Sequence, residues 1–307
     1  MDTGMTALLR QRLADGVYAP GVYDGLSATL AAAEGAFDAL YLPGTAVEAS
    51  HVGAPDIGMM TLTELVERAR MVTRVSDLPL ICDGDTGFGT VFSIQRTVRE
   101  LEAAGASAVQ IEDQQNPKKC PAITGARRVA EREESIDRVR IAVDARRSED
   151  FLVIARCDAD IVSPTEVIER CNLYREAGAD VILPLIEMWG DRRLSAHPPD
   201  EQMEIFRRLR AEIDGPIATV FTPPGYRAAD LHALGVNLVL APTVLHAVTT
   251  MLIGFYRALA QNGSDAAYFA GHPREPATTM ELFRLLGLDA HLALEQRFAS
   301  RSGMSDG

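Results

Sequence analysis

The chain of 307 residues contains no run of about 18 apolar residues, so no segment is built to cross a bilayer as a helix. Its first residues, MDTGMTALLRQRLADG, lack the apolar core of roughly 7–15 residues that marks a secretory signal and read as a short amphipathic helix. Cysteine is scarce. Cys82, Cys120, Cys157 and Cys171 show no CxxC spacing, which excludes a disulfide scaffold or zinc ribbon and leaves a reduced, cytoplasmic setting as the expectation. Positive charge is also short, with 30 Lys and Arg against 43 Asp and Glu and a formal net charge of −13. A nucleic-acid partner would require a basic footprint that is missing, and a small anionic substrate would need a local cationic site. The six histidines, from His51 to His291, include no HExxH pair, and no GxGxxG follows the first candidate strand, which argues against a zincin or dinucleotide-binding fold.

A repeat is present instead. Gly35 precedes FDALYLP, Gly105 precedes ASAVQIED, Gly178 precedes ADVILPLIE and Gly235 precedes VNLVLAPT. Each reads as a helix ending on a left-handed glycine cap, followed by a short buried strand. Further apolar strands are expected at 21–24, 78–85, 151–158 and 216–221, making eight. The helical patterns between them are Thr61–Val75, opened by a Thr61/Glu64 capping box, Thr90–Ala104, Glu131–Arg146, Pro164–Ala177 and Glu201–Ile213. Strands alternating with helices imply a parallel sheet, and eight such units favour an α/β fold closed into a (β/α)₈ TIM-type barrel. The barrel is expected over residues 1–261, with the helix Val244–Ala260 at its end. Residues 262–307 read as a linker and a helical tail, Thr278–Phe298, too small for a separate domain. The last seven residues, RSGMSDG, are expected to be disordered.

Polar groups collect where strands end, which is the catalytic face of such a barrel. Asp83, Asp85 and Glu112 stand at neighbouring strand ends and form a plausible hard-oxygen site for Mg²⁺, since burying them together is costly without a cation. A lone Asp in such a place would more simply cap a helix. Arg156 follows the apolar run FLVIA and suits a substrate carboxylate or, equally, a salt bridge to a strand-end acid. The loop Asp113–Arg128 is the longest polar connection and carries Lys118, Lys119 and Cys120. The lysines would lower the thiol pKa, unless Cys120 is simply exposed. Glu187 follows the sixth strand.

The stretches YDGLSA (23–28), ALYLPG (39–44), GAPDIGMMTLTE (53–64), DGDTGFG (83–89), VQIEDQQNPKKC (109–120) and IARCDA (154–159) together resemble the isocitrate lyase/phosphoenolpyruvate mutase superfamily from about residue 17 to 260. The resemblance implies a barrel assembled as a homotetramer, a dimer of dimers, with a helix swapped between subunits. It implies Mg²⁺, with Mn²⁺ as a substitute, held directly by Asp85 and largely through water by Asp56, Asp83 and Glu112. Tyr41, Gly44, Thr45, Asp85, Arg156 and Thr219 would bind a small anionic 2-oxo or 2-hydroxy acid under a closing Asp113–Arg128 loop. Cys120 would supply a proton to carbon, with Lys118, Arg156 and Glu187 completing the catalytic set. The implied activity is carbon–carbon cleavage of a 2-hydroxy carboxylate to give a 2-oxo acid such as pyruvate. Oxaloacetate decarboxylation, phosphonopyruvate-type hydrolysis or mutation, and non-catalytic oxo-acid binding are the alternatives. The chain departs from the lyase pattern at Pro43, Pro121-Ala122, Cys157, Leu185 and Thr219. These changes fall mostly on the half of the site that meets the rest of the substrate, so a bulkier or less acidic second half than that of isocitrate or 2-methylisocitrate is expected.

Overall fold

The structure, a computed structural model, describes residues 3–123 and 125–302. The chain divides into two compact units between Val244 and Leu245.

The first unit is built on eight parallel strands: β1 (Val17–Pro20), β2 (Leu40–Leu42), β3 (Leu80–Asp83), β4 (Ala108–Glu112), β5 (Leu152–Cys157), β6 (Val181–Pro184), β7 (Ala218–Thr219) and β8 (Leu238–Ala241). Strands β2 to β6 pair in sequence order, and β8 pairs with both β1 and β7. Two parallel bridges, Gly21↔Tyr41 and Ile182↔Ile217, join these sheets and close the ring. Strand β1 lies earlier than the expected 21–24. Pro20 ends β1, and Asp24 caps the helix Gly25–Ala33 and turns the chain away.

Period-2 alternation sorts the side chains of each strand. Tyr41, Ile81, Ala108, Leu152, Ile154, Val181 and Leu240 pack together inside the barrel. Leu9 and Leu13, from the helix Thr3–Arg12 and the turn after it, join the same cluster. The opposite faces of the strands pack on the helices in two further clusters. Near their C-terminal ends the inward positions of β2 to β5 turn polar, giving Tyr41, Asp83, Gln110, Glu112 and Arg156. That change places the site.

The helices follow the expected pattern to within two residues at each end: Leu62–Thr73, Val91–Ala103, Arg132–Ala145, Pro164–Glu176 and Pro199–Glu212. The Thr61/Glu64 capping box forms. Gly35, Gly105, Gly178 and Gly235 all have positive φ, as the repeat requires.

The second unit begins with all but the first residue of the helix Val244–Asn262. The expected linker contains a helix, Ala266–Gly271, stabilised by edge-to-face packing of Tyr268 on Phe255 and Phe269. The tail is two helices, Thr279–Leu285 and Leu288–Ser302, broken at Gly287, whose φ is 87°. Of the terminal RSGMSDG segment, residues 303–307 lie outside the described residues.

Candidate active site

The site is assembled from the mouth of the barrel. Asp83 ends β3, and its side chain accepts from Gln110 Nε2 (2.9 Å), from the Gly44 N–H (3.2 Å) and from the Asp85 N–H (3.1 Å). The Tyr41 hydroxyl is shared between Asp83 Oδ2 (3.4 Å) and Gln110 Oε1 (3.3 Å). Asp83 and Asp85 are not brought together by strand alternation. Asp85 lies beyond the strand with φ of 48°, a left-handed conformation that costs an L-residue strain and persists at functional sites when its surroundings hold it. Gly44 makes room for the pair, since a Cβ there would sit 2.9 Å from Asp85 Oδ1 and 3.3 Å from Asp83 Oδ2.

Lys118 reaches in from the Asp113–Arg128 loop and is buried. Its ammonium pairs with Asp56 and lies 2.7 Å from Asp85 Oδ1. Thr45, itself exposed, donates its hydroxyl to Asp56 Oδ2 at 2.5 Å. Burial alone would pull the lysine pKa down, but Asp85, Glu112, Asp56 and Asp83 outweigh it and hold the ammonium charged. The carboxylates respond in opposite directions. Burial pushes Asp85 up to about 7 against the pull of Lys118, whereas Lys118 and Thr45 keep Asp56 below the ordinary carboxylate range despite its burial. Burial likewise raises Glu112 well above that range.

Glu112 and Arg156 face each other from adjacent strands, with Arg156 Nη1 3.1 Å from Glu112 Oε2. Nε and Nη2 of Arg156 form a bidentate pair with Asp158, at 2.8 and 2.9 Å. The salt-bridge reading of Arg156 is therefore correct, and these contacts engage only part of a five-donor guanidinium.

The donor set suits a hard divalent cation. Asp85 Oδ1 and Glu112 Oε1 are buried and accept no hydrogen bond, although Lys118 lies within ion-pair distance of the former. A buried carboxylate oxygen with no partner, as at Glu112 Oε1, is costly, and a cation with oxygen affinity would satisfy it. Among the described residues, no group of three or more His, Cys, Asp or Glu side chains forms a ready cage. Lys118 and Arg156 supply positive charge where these carboxylates meet.

Cys120 is half-buried and its N–H donates to the Asp56 carbonyl at 3.0 Å, which ties it to the cluster. Its thiol pKa is raised, not lowered as the two lysines suggested. Burial outweighs Lys118 and Arg156, and Asp56 adds to the upward push. A protonated thiol suits an acid better than a nucleophile. Glu187 pairs instead with Arg193 at 2.7 Å, and the hydroxyl of buried Thr219 bonds to the backbone of Phe221. Neither hydrogen-bonds to the carboxylate cluster among the described residues.

Two buried participants escaped the sequence reading. Gln110 could have been found, since it stands two residues before Glu112 on the same strand face. Arg127 could not, although its partner Asp158 stands at the visible end of the fifth strand. Arg127 donates to Asp158 (3.0 Å) and to both oxygens of Asp160 (2.7 and 3.0 Å), a pairing that exists only across the folded loop. A cavity of 640 Å³ opens beside Asp85 and Lys118, walled by Met60, Leu62, Phe88 and Asn116.

The family model for phosphoenolpyruvate phosphomutase matches residues 8–259. The chain belongs to this family. Within the phosphoenolpyruvate phosphomutase family, it is 34% identical over 290 residues to the 2,3-dimethylmalate lyase of Eubacterium barkeri, covering 92% of this chain and 94% of that protein. A solved structure of oxaloacetate acetylhydrolase with 3,3-difluorooxalacetate matches with a TM-score of 0.83 at 27% identity, covering 98% and 99% of the two chains. Phosphonopyruvate hydrolase, solved with oxalate and Mg²⁺, matches with a TM-score of 0.79 at 27% identity over 96% and 99%. Membership in the isocitrate lyase/phosphoenolpyruvate mutase superfamily and the eight-stranded barrel both stand as the sequence implied, and the chain is a carbon–carbon lyase. Among the described residues, no helix is long and apolar enough to cross a membrane.

Proposed function

We propose that the chain cleaves a substituted malate to pyruvate, or a related 2-oxo acid, and a short carboxylic acid. The observation that carries this reading is the hydrogen bond between Cys120 N–H and the Asp56 carbonyl, which sets a protonated thiol beside the carboxylate cluster. The likeness to 2,3-dimethylmalate lyase along nearly the whole of both chains supports it. So do Pro43 and the buried Leu185, which replace polar groups of the lyase pattern and favour an apolar second half.

In this reading Asp85, Asp56, Asp83 and Glu112 hold Mg²⁺, with Mn²⁺ as a substitute. The ion, when bound, supplies Lewis-acid stabilisation of developing oxyanion charge. The Arg156 N–H groups not engaged by Asp158 take the substrate carboxylate, and Tyr41, Gly44 and Thr45 line the same end. The substrate hydroxyl loses its proton to the carboxylate cluster. Its C–O bond becomes a carbonyl as the adjacent C–C bond breaks, and the electron pair passes to the departing carbon. The Cys120 thiol then gives its proton to that carbon. Lys118 keeps the cluster's charge in check, and burial under the loop excludes water from the carbanion. Glu187 and Thr219 are assigned to the far end of the substrate.

A second reading, hydrolysis or decarboxylation of oxaloacetate, draws on Pro121-Ala122 in place of Gly-His and on the fold likeness to oxaloacetate acetylhydrolase. The purified chain with Mg²⁺ should be assayed on 2,3-dimethylmalate, 2-methylisocitrate, isocitrate, oxaloacetate and phosphonopyruvate. Turnover of the dimethyl substrate on the order of 1–10³ s⁻¹ is expected, with slower cleavage of the tricarboxylates. Exclusive action on oxaloacetate or phosphonopyruvate would sink the lyase substrate proposed here.

The homotetramer belongs to the same proposal. The helix Val244–Asn262 buries none of its residues and exposes Met251, Ile253 and Tyr256, and the tail exposes Phe283 and Phe298. Apolar surface on this scale, where no helix among the described residues is long and apolar enough to cross a membrane, suits helix exchange between subunits in the cytoplasm.

A further inference from the structure

Gln114 stands one residue beyond Asp113 at the root of the loop that carries Lys118 and Cys120, and it is almost fully buried. Its amide makes a two-point contact with the backbone of Lys119. Gln114 Oε1 accepts from the Lys119 N–H at 2.9 Å, and Nε2 donates to the Lys119 carbonyl at 3.1 Å. The second hydrogen on Nε2 goes to Asp158 Oδ1, also at 3.1 Å. Asp158 is fully buried, and it is the carboxylate that grips Arg156 through Nε and Nη2. One side chain therefore touches both halves of the site: the loop backbone next to Cys120, and the anchor of the guanidinium.

We infer that Gln114 is a positioning residue that couples the placement of the Lys118–Cys120 backbone to the orientation of Arg156. The inference rests on the lyase reading above, in which Cys120 and Arg156 act on one substrate. The geometry favours this role over simple filling of space. An amide is the one side chain that can accept from a backbone N–H and donate to the following C=O while keeping a second donor for a carboxylate. The backbone of Gln114 is engaged separately, its carbonyl accepting from Arg138 Nη1 at 2.7 Å, so the residue stays in place when its side chain changes. Lys119 is the residue between Lys118, which enters the carboxylate cluster, and Cys120, whose N–H is tied to Asp56. Releasing Lys119 loosens both neighbours at once. Misplacing reacting groups by about an ångström costs on the order of 10²-fold in rate, so a backbone latch at this point acts on turnover more than on binding.

The test uses the full chain loaded with Mg²⁺. Gln114→Met keeps the volume and removes every hydrogen bond. Gln114→Glu keeps the acceptor for the Lys119 N–H but loses both donors and sets a carboxylate against Asp158. Hydrogen exchange at the Lys119 amide is read alongside kcat and KM. In Gln114→Met the amide is expected to exchange on the order of tenfold faster, with kcat falling on the order of 10²-fold and KM moving less than about threefold. In Gln114→Glu protection of Lys119 is expected to survive while kcat still falls. Unchanged exchange at Lys119 in Gln114→Met would overturn the latch whatever the substrate is. A KM rise that accounts for the whole loss would overturn the role in turnover. If the wild-type chain turns over no malate derivative yet the exchange difference is seen, the substrate assignment fails and the latch stands.

Discussion

Lys118 Nζ lies 2.7 Å from Asp85 Oδ1, and the two side chains come from loops that follow different strands of the barrel. The lysine partly neutralises a cluster of four buried carboxylates that would otherwise repel one another. Lys118→Met should therefore destabilise the metal-free protein by roughly 1–3 kcal/mol, the lower end applying where a carboxyl takes up a proton in place of the ammonium. Added Mg²⁺ should recover more of the melting temperature in the variant than in the wild type. Equal Mg²⁺ stabilisation of both proteins in thermal melts would remove Lys118 from the cluster's electrostatics.

Cys120→Ser should abolish cleavage while leaving Mg²⁺ affinity within about threefold, because the thiol is not among the hard-oxygen donors. The pH dependence has a definite sign. An acid works in its protonated form, and burial raises this thiol's pKa, so the alkaline limb of kcat should lie above the ordinary range for a cysteine. A limb at or below pH 8 in the wild type, or substantial activity in the serine variant, would take the proton-donor role from Cys120.

Gly44→Ala places a methyl group 2.9 Å from Asp85 Oδ1, inside van der Waals contact. The helix Gly44–Val47 begins there, so the backbone has little room to retreat. The expected cost is about 1–3 kcal/mol of stability, with divalent-cation binding weakened on the order of tenfold as the carboxylates are pushed apart. Calorimetric titration with Mn²⁺ decides the second point, and an unchanged affinity would place the ion elsewhere.

Arg156→Lys retains the charge but not the two parallel hydrogen bonds to Asp158. An ammonium cannot hold Asp158, face Glu112 and present donors to a substrate carboxylate at the same time. A fall in kcat/KM of about 10²-fold is expected with the fold intact by circular dichroism. Near wild-type kcat/KM would mean that the substrate carboxylate is bound by another group.

Much of the architecture was legible before any coordinates. Apolar runs of strand length, glycine caps and the Thr61/Glu64 box are local features, set by residues close together in the chain. So is the polar switch at Asp83, Glu112 and Arg156, because alternation decides which face of a strand each residue joins. Where an element's limits depend on distant packing, local reading went astray. The first strand is Val17–Pro20 where 21–24 was expected, and a helix forms in the apparent linker because Tyr268 finds Phe255.

By itself the sequence determined the kind of fold, the family and the identity of the strand-end groups, since periodicity and residue order are properties of the chain alone. Tertiary structure decided what those groups do to one another. The two bridges that close the ring, the entry of Lys118 among the carboxylates, the upward shift of the Cys120 thiol and the Gln114–Asp158–Arg156 relay all depend on through-space distances and burial. Those quantities arise only when strands and loops far apart in sequence share one low-dielectric mouth.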